Sequence, residues 1–277
     1  CAVWFSIRTR FVQFRMIREM IVLLSESAGK GKQGEKHVSS FQAFAISIAS
    51  RVGTGNLAGV ATAIAIGGPG AIFWMWVAGI LGQATKFGEI VLGIKYREKN
   101  VDGEFVGGPA YTFKKGIGGT LGNIMGFLVS FFFMIEILPS ITLQTIAAAG
   151  PLEQLGLSRL IAALIILVLV VLVSYGGIKR IGQVTEKMVP IMAGIYIIMG
   201  LIILVMHAGQ IPHAFAVIFK GAFNPQAVAG GIGGATLAAA IKAGLARGCY
   251  SNEAGMGSAP YAHSTAITDH PARQGMW

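Results

Sequence analysis

Long uncharged apolar runs constrain this chain more than any other feature, and Leu160 to Tyr175 is the clearest of them. A helix crosses the ~30 Å hydrocarbon core with about 20 residues. Six stretches meet or approach that length: Ser39 to Gly67, Ala71 to Ile94, Leu121 to Ala149, Leu160 to Tyr175, Met188 to His207 and Ala227 to Leu245. A membrane β-barrel would instead show alternating segments of about ten residues, which this sequence lacks. The expected class is therefore an all-α polytopic membrane protein.

Composition agrees, since 54% of residues are hydrophobic and 12% charged, about half the charged content of a soluble domain. The net charge of +10 is split into short clusters between apolar runs, without the aromatic-interleaved basic face that nucleic acid requires. Cys1 and Cys249 lie far apart, with no paired spacing for a disulfide or a transition metal. The opening on Cys1, with no signal-peptide pattern after it, suggests a piece truncated at both ends. Cys1 to Ile7 reads as the last turns of a preceding span, and Arg8 to Leu24 as an amphipathic surface helix.

Lys and Arg set the expected orientation. Seven lie between Arg8 and Lys36, five between Lys95 and Lys115, and Lys179, Arg180 and Lys187 follow the fourth span. The alternate loops, Gly67 to Gly70, Gly150 to Arg159 and Ala208 to Pro225, are nearly bare. Loops 8–38, 95–118 and 177–187 are thus placed in the cytoplasm, with Gly67-Gly68-Pro69-Gly70 as an outside turn.

Within the first complete span lies Arg51-Val52-Gly53-Thr54-Gly55-Asn56. Each helix glycine costs roughly 1 kcal/mol relative to Ala, and any backbone group freed inside a bilayer must find another partner. A close helix crossing is the plainer explanation of such glycines, but Arg51, Thr54 and Asn56 beside them favour a binding site. A second such segment, Ala243 to Gly255, joins glycines to Arg247, Ser251, Asn252 and Glu253 at the sixth span. Transporters built from inverted five-helix repeats open each repeat with a broken helix, and spans one and six fit that scheme. The expected division is 1–38, a span end plus cytoplasmic connector; 39–207, a first five-helix repeat; and 208–277, a loop and the opening broken helix of a second repeat.

Half-helix N-termini offer N–H groups to a carboxylate, while freed carbonyls and Thr, Ser or Asn oxygens suit an ammonium group or Na+. A zwitterionic amino acid matches both, and small lining residues suggest a small side chain. Among ionisable groups, Lys86 and Glu89 read as a local pair with a snorkelling Lys. Glu136, before Pro139, reads either as partner of a buried Arg or as an ion-coupling group, and Lys242 as reaching the interface. Gln144 turns its amide either to the site or to a neighbouring helix. His207, His213, His263 and His270 receive no role, and Gly107-Gly108-Pro109 and Pro260 read as loop punctuation.

Several strings resemble the alanine or glycine:cation symporter family: Thr9 to Arg15, Val52 to Ile64, Gly67 to Val77, Gly107-Gly108-Pro109, and Arg247-Gly248 with Ser251 to Pro260. The resemblance runs from Thr9 to Gln274. It implies a leucine-transporter-like inverted-repeat core, of which only the first repeat and the start of the second are present. It further implies Na+-coupled uptake of alanine or glycine at the plasma membrane. Carried over residue by residue, substrate falls to Gly53, Thr54, Gly55, Asn56, Gln144, Tyr250, Ser251 and Asn252, and Na+ to Thr54, Asn56 and Ser251. No cofactor beyond the coupling ion, no nucleic acid and no obligate protein partner is expected. Two other readings stand beside this one: a passive channel, and an intramembrane hydrolase with Ser258 as nucleophile and His263 as base.

Overall fold

The computed structural model describes residues 1–27, 38–223 and 237–277, and nearly all the regular structure in them is helical. Its N-terminal part is not one amphipathic helix. Helix α1 (Ala2–Arg8) falls on the expected span end, and two short helices, α2 (Val12–Arg15) and α3 (Ile17–Ser27), stand where the single connector helix was expected. Arg10 and Phe11 both take left-handed backbone at φ 52°, and a buried Gln13 side chain donates to Ser6 Oγ at 3.0 Å, folding α2 back on α1. The part of the expected connector beyond Ser27 lies outside the described residues.

The first expected span is two helices, α4 (Ser40–Arg51) and α5 (Thr54–Gly67). Ser39 and Gln42 form a reciprocal capping box that starts α4, and Val52 and Gly53 separate the two pieces. At the far end Gly68, at φ 70°, turns the chain into α6 (Gly70–Lys95). A two-residue antiparallel hairpin pairs Glu98–Lys99 with Phe105–Val106. Next come α7 (Pro109–Gly116), α8 (Gly119–Gln154), α9 (Arg159–Ser174) and α10 (Gly177–Met206). After one 3-10 turn, the chain continues as α11 (Ile211–Phe223), α12 (Leu237–Asn252), α13 (Ser258–Ser264) and α14 (Pro271–Gly275). By length and composition α6, α8 and α10 can each cross a membrane, and α5 and α9 are shorter apolar helices.

Four boundaries differ from expectation. The segment 177–187, read as a loop, is the first part of α10, where Gln42 of α4 donates to Glu186 at 2.8 Å. Helix α8 runs on through Gly150 and Pro151 to Gln154, shortening the loop expected there. Residues 211–223 form a helix rather than a loop, and its Phe219 and Phe223 rings pack tilted and edge-on against Phe73 of α6, with ring centroids 5.6 and 4.8 Å apart. Pro260 sits inside α13, at the third helical position, where its missing N–H costs no intrahelical bond. Of the expected span Ala227 to Leu245, residues 227–236 lie outside the described residues, and α12 extends past it to Asn252.

Helix α6 is the spine, carrying α1, α11, α12, α13 and α14 on its sides. Close approach depends on glycine. A Cβ at Gly244 of α12 would stand 2.6 Å from Trp74 Cβ, and one at Gly67 of α5 would stand 2.7 Å from Ala243 Cβ. Gly248 meets Ala78 in the same way. By contrast, α9 and α10 present rows of Leu, Ile and Val outward; Leu167, Val168, Ile197 and Ile198 are all more than half exposed.

Candidate functional site

The α4–α5 break leaves a helix C-terminus and a helix N-terminus facing each other, and each end has lost intrahelical partners. Side chains from distant helices reach into the first turn of α5. Gly55 N–H donates to Gln144 Oε1 of α8 at 2.9 Å, and Thr54 Oγ1 makes a longer contact, 3.4 Å, with the Gln144 carbonyl. Gly55 O accepts from Arg247 Nη2 of α12 at 2.8 Å, and the same nitrogen donates to Asn56 Oδ1 at 3.1 Å. The buried Asn56 amide closes the circuit by donating to Arg51 O at the end of α4. A cationic nitrogen thus rests on two oxygens in the first turn of α5, while an amide oxygen covers one of that turn's free N–H donors and the Asn56 amide covers a free carbonyl of α4.

Glycines make room for both visitors. A Cβ on Gly55 would lie 3.0 Å from Gln144 Oε1, and one on Gly53 would overlap the same amide. A Cβ on Gly59 would occupy the place of the Arg247 guanidinium. The Arg247 side chain borders a cavity of about 780 Å³ between α5, α8 and α12, whose lining includes Gly55, Gly59, Leu143, Lys242 and Tyr250. The small residues of α5 and α12 let the two helices approach closely, as at Gly67 and Ala243.

Of the residues singled out from sequence, Gly53, Thr54, Gly55, Asn56 and Gln144 come together here. Thr54, Gly55 and Asn56 lie in the first turn of α5 rather than in an unwound stretch. Tyr250, Ser251 and Asn252 likewise belong to the last turn of α12, with the break after them. Tyr250 reaches the cavity, its ring 4.9 Å from the Arg247 guanidinium and its hydroxyl 3.2 Å from Ser140 Oγ. Asn252 instead packs on α6 over Gly79 and Gly82. Ser251 Oγ is buried without a hydrogen-bond partner.

A second constellation ties the two breaks together. Glu253, in the turn after α12 at φ 51°, accepts from Ser50 Oγ at 2.7 Å and lies 3.9 Å from Arg51 Nε. Lys86 of α6 donates to the Glu253 carbonyl at 2.6 Å and pairs with Glu89 at 3.6 Å, while Glu89 accepts from Gly257 N–H at 3.2 Å. Lys86 is turned inward by these acceptors, so it does not snorkel. Glu136 makes no ion pair among the described residues and lines a separate cavity with Glu89 and Met256. Lys242 is exposed in the first cavity. Neither Arg247 nor Glu253 receives a role from sequence alone, although both lie in the glycine-interrupted segment, where a charge inside an apolar helix is the available signal.

The hydrolase reading loses its geometry here. Ser258 Oγ donates to Glu253 Oε2, and the buried His263 ring is engaged by Gln274 at 2.8 Å, so hydroxyl and imidazole serve different partners.

Comparison with known proteins agrees with a carrier. The sequence profile described as "Sodium:alanine symporter family" matches residues 1–277. The amino-acid carrier protein AlsT of Bacillus subtilis is 45% identical over 276 residues, covering 98% of this chain and 56% of AlsT. The sodium/alanine symporter AgcS of Methanococcus maripaludis is 42% identical over 277 residues, covering 99% of this chain and 60% of AgcS. The probable sodium/glutamine symporter GlnT of Bacillus subtilis is 42% identical over 275 residues, covering 99% and 56%. The chain spans a little over half the length of the curated relatives it matches. A transporter profile along the whole chain, with relatives far above 30% identity, shows that this chain belongs to the sodium:alanine symporter family.

Proposed function

We propose that this chain supplies the substrate and ion site of a secondary active symporter that couples inward Na+ movement to uptake of a small neutral amino acid, alanine or glycine, across the plasma membrane. One observation carries the reading: the α4–α5 break holds a backbone donor against an amide oxygen and a backbone acceptor against a cation. A zwitterion with a sodium ion presents the same two chemistries. The name of AgcS supports sodium and alanine, and that of GlnT marks glutamine as the substrate to set against them. The same reading takes 39–207 as the first repeat of a leucine-transporter-like core, with segments 8–38, 95–118 and the start of α10 at 177–187 on the cytoplasmic side. Gly53, Thr54, Gly55, Asn56, Gln144 and Tyr250 line its substrate path, and Ser251, with its unpartnered buried hydroxyl, joins Thr54 and Asn56 at the ion.

The test is equilibrium binding of radiolabelled alanine to a purified full-length family member carrying this sequence. Binding should require Na+, vanish in choline, and be displaced by unlabelled alanine or glycine well before glutamine. Displacement by glutamine at lower concentration than alanine would overturn the substrate class, and binding indifferent to Na+ would overturn the coupling.

A further inference from the structure

We propose that Arg247 is a tethered cation that competes with the coupling ion for the oxygens of the α4–α5 break. The inference rests on the reading of that break as the ion site. A single nitrogen, Arg247 Nη2, holds both Gly55 O and Asn56 Oδ1, at 2.8 and 3.1 Å. A backbone carbonyl and an amide oxygen are the hard, neutral ligands that an alkali cation takes. The guanidinium reaches them across α5 through a notch that exists only because residue 59 is glycine.

Nothing anionic holds Arg247 in place. It forms no ion pair with a carboxylate among the described residues, and its buried Nε has no acceptor. The residues lining the adjoining cavity include Lys242 and Arg247 but no Asp or Glu. A sodium ion arriving at Gly55 O would share those oxygens with a fixed positive charge, and like charges repel at such range. Occupancy is therefore mutually exclusive: the guanidinium satisfies the break when the ion is away and swings off when it binds. The Tyr250 ring, whose face already attracts the guanidinium from 4.9 Å, is the resting place beside the cavity. In this scheme Arg247 sets the sodium concentration at which transport begins, because apparent affinity falls by the fraction of time the break is covered.

The experiment measures substrate-free binding of radioactive sodium to the purified full-length protein, alongside the sodium dependence of alanine uptake. Arg247→Gln removes the tethered charge. Gly59→Ala keeps it but fills the notch, so it reaches the same end if the first variant does not fold. Both are expected to lower half-saturating sodium, by about ten-fold if the guanidinium covers the break roughly nine-tenths of the time. Arg247→Lys, with a shorter and rounder head, should fall between Arg247→Gln and the parent. Half-saturation unchanged or raised in Gly59→Ala or Arg247→Gln overturns the competition. Asn56→Ala separates this from the underlying reading: sodium bound as tightly as in the parent would remove the break from the ion site, and the inference with it.

Discussion

Replacing Glu253 by alanine is expected to abolish uptake and to lower the yield and thermal stability of the folded protein by more than any other single change in the charged cluster. Its carboxylate accepts from the exposed Ser50 and the half-buried Ser258 and lies beside Arg51, and the Arg51 and Glu253 side chains are themselves mostly buried. Removing one member of a buried pair strands the other, at a cost of about 3 kcal/mol or more. The loss falls where two broken helices meet, since Ser50 and Arg51 end α4 and Glu253 follows α12. Glu253 also sits in left-handed backbone, which costs a non-glycine residue roughly 1–2 kcal/mol. Glu253→Gly should therefore lose less stability than Glu253→Ala while losing transport equally. A double variant, Arg51→Met with Glu253→Met, should recover stability relative to either single charge deletion. Thermal denaturation followed by size-exclusion chromatography reads all of these. Native stability in Glu253→Ala would show that the cluster holds nothing together.

Gly55→Leu is expected to eliminate coupled uptake while leaving membrane insertion intact, and Asn56→Ala to do the same. At Gly55 the Gln144 amide oxygen stands 3.0 Å from the first atom that any side chain would add. Leucine adds three further carbons beyond it, so Gln144 must leave the break and the Gly55 N–H loses its acceptor. Asn56 acts from the other side. Its amide donates to Arg51 O and accepts from Arg247, so alanine frees a carbonyl and removes one of the two acceptors of the guanidinium. Each buried polar group left without a partner costs about 1–3 kcal/mol, and here the break itself is what changes shape. Uptake kinetics in proteoliposomes, with surface expression as control, measure the outcome. Parent-like kinetics in both variants would take this segment out of the site.

Periodicity and punctuation made much of this legible. Apolar runs located α6, α8 and α9 to within a few residues, and the Gly53 to Asn56 string marked where the first span divides. Segments governed by contact rather than pattern were not legible. Residues 211–223 lie between two apolar spans and read as a loop nearly bare of Lys and Arg, and the tilted and edge-on packing of Phe219 and Phe223 on Phe73 holds them against α6 as a helix. The first turns of α10 carry Lys179, Arg180 and Lys187, which read as a loop marker although Lys and Arg are good helix formers. Arg247 stood within a quoted string, yet its reach to Gly55, 192 residues away in sequence, is set by the α5–α12 crossing and by the notch at Gly59. The Glu253 network failed to show for the same reason: its partners come from three separate helices.

Alanine accumulation in proteoliposomes containing a full-length family member with this sequence tests the central claim most directly. One set of vesicles carries an inward Na+ gradient, and the other equal Na+ on both sides. Coupling through the break predicts accumulation above equilibrium with the gradient, simple equilibration without it, and neither in Gly55→Leu. Equilibration at the same rate in both sets, with no overshoot, would contradict symport and identify a passive pathway instead.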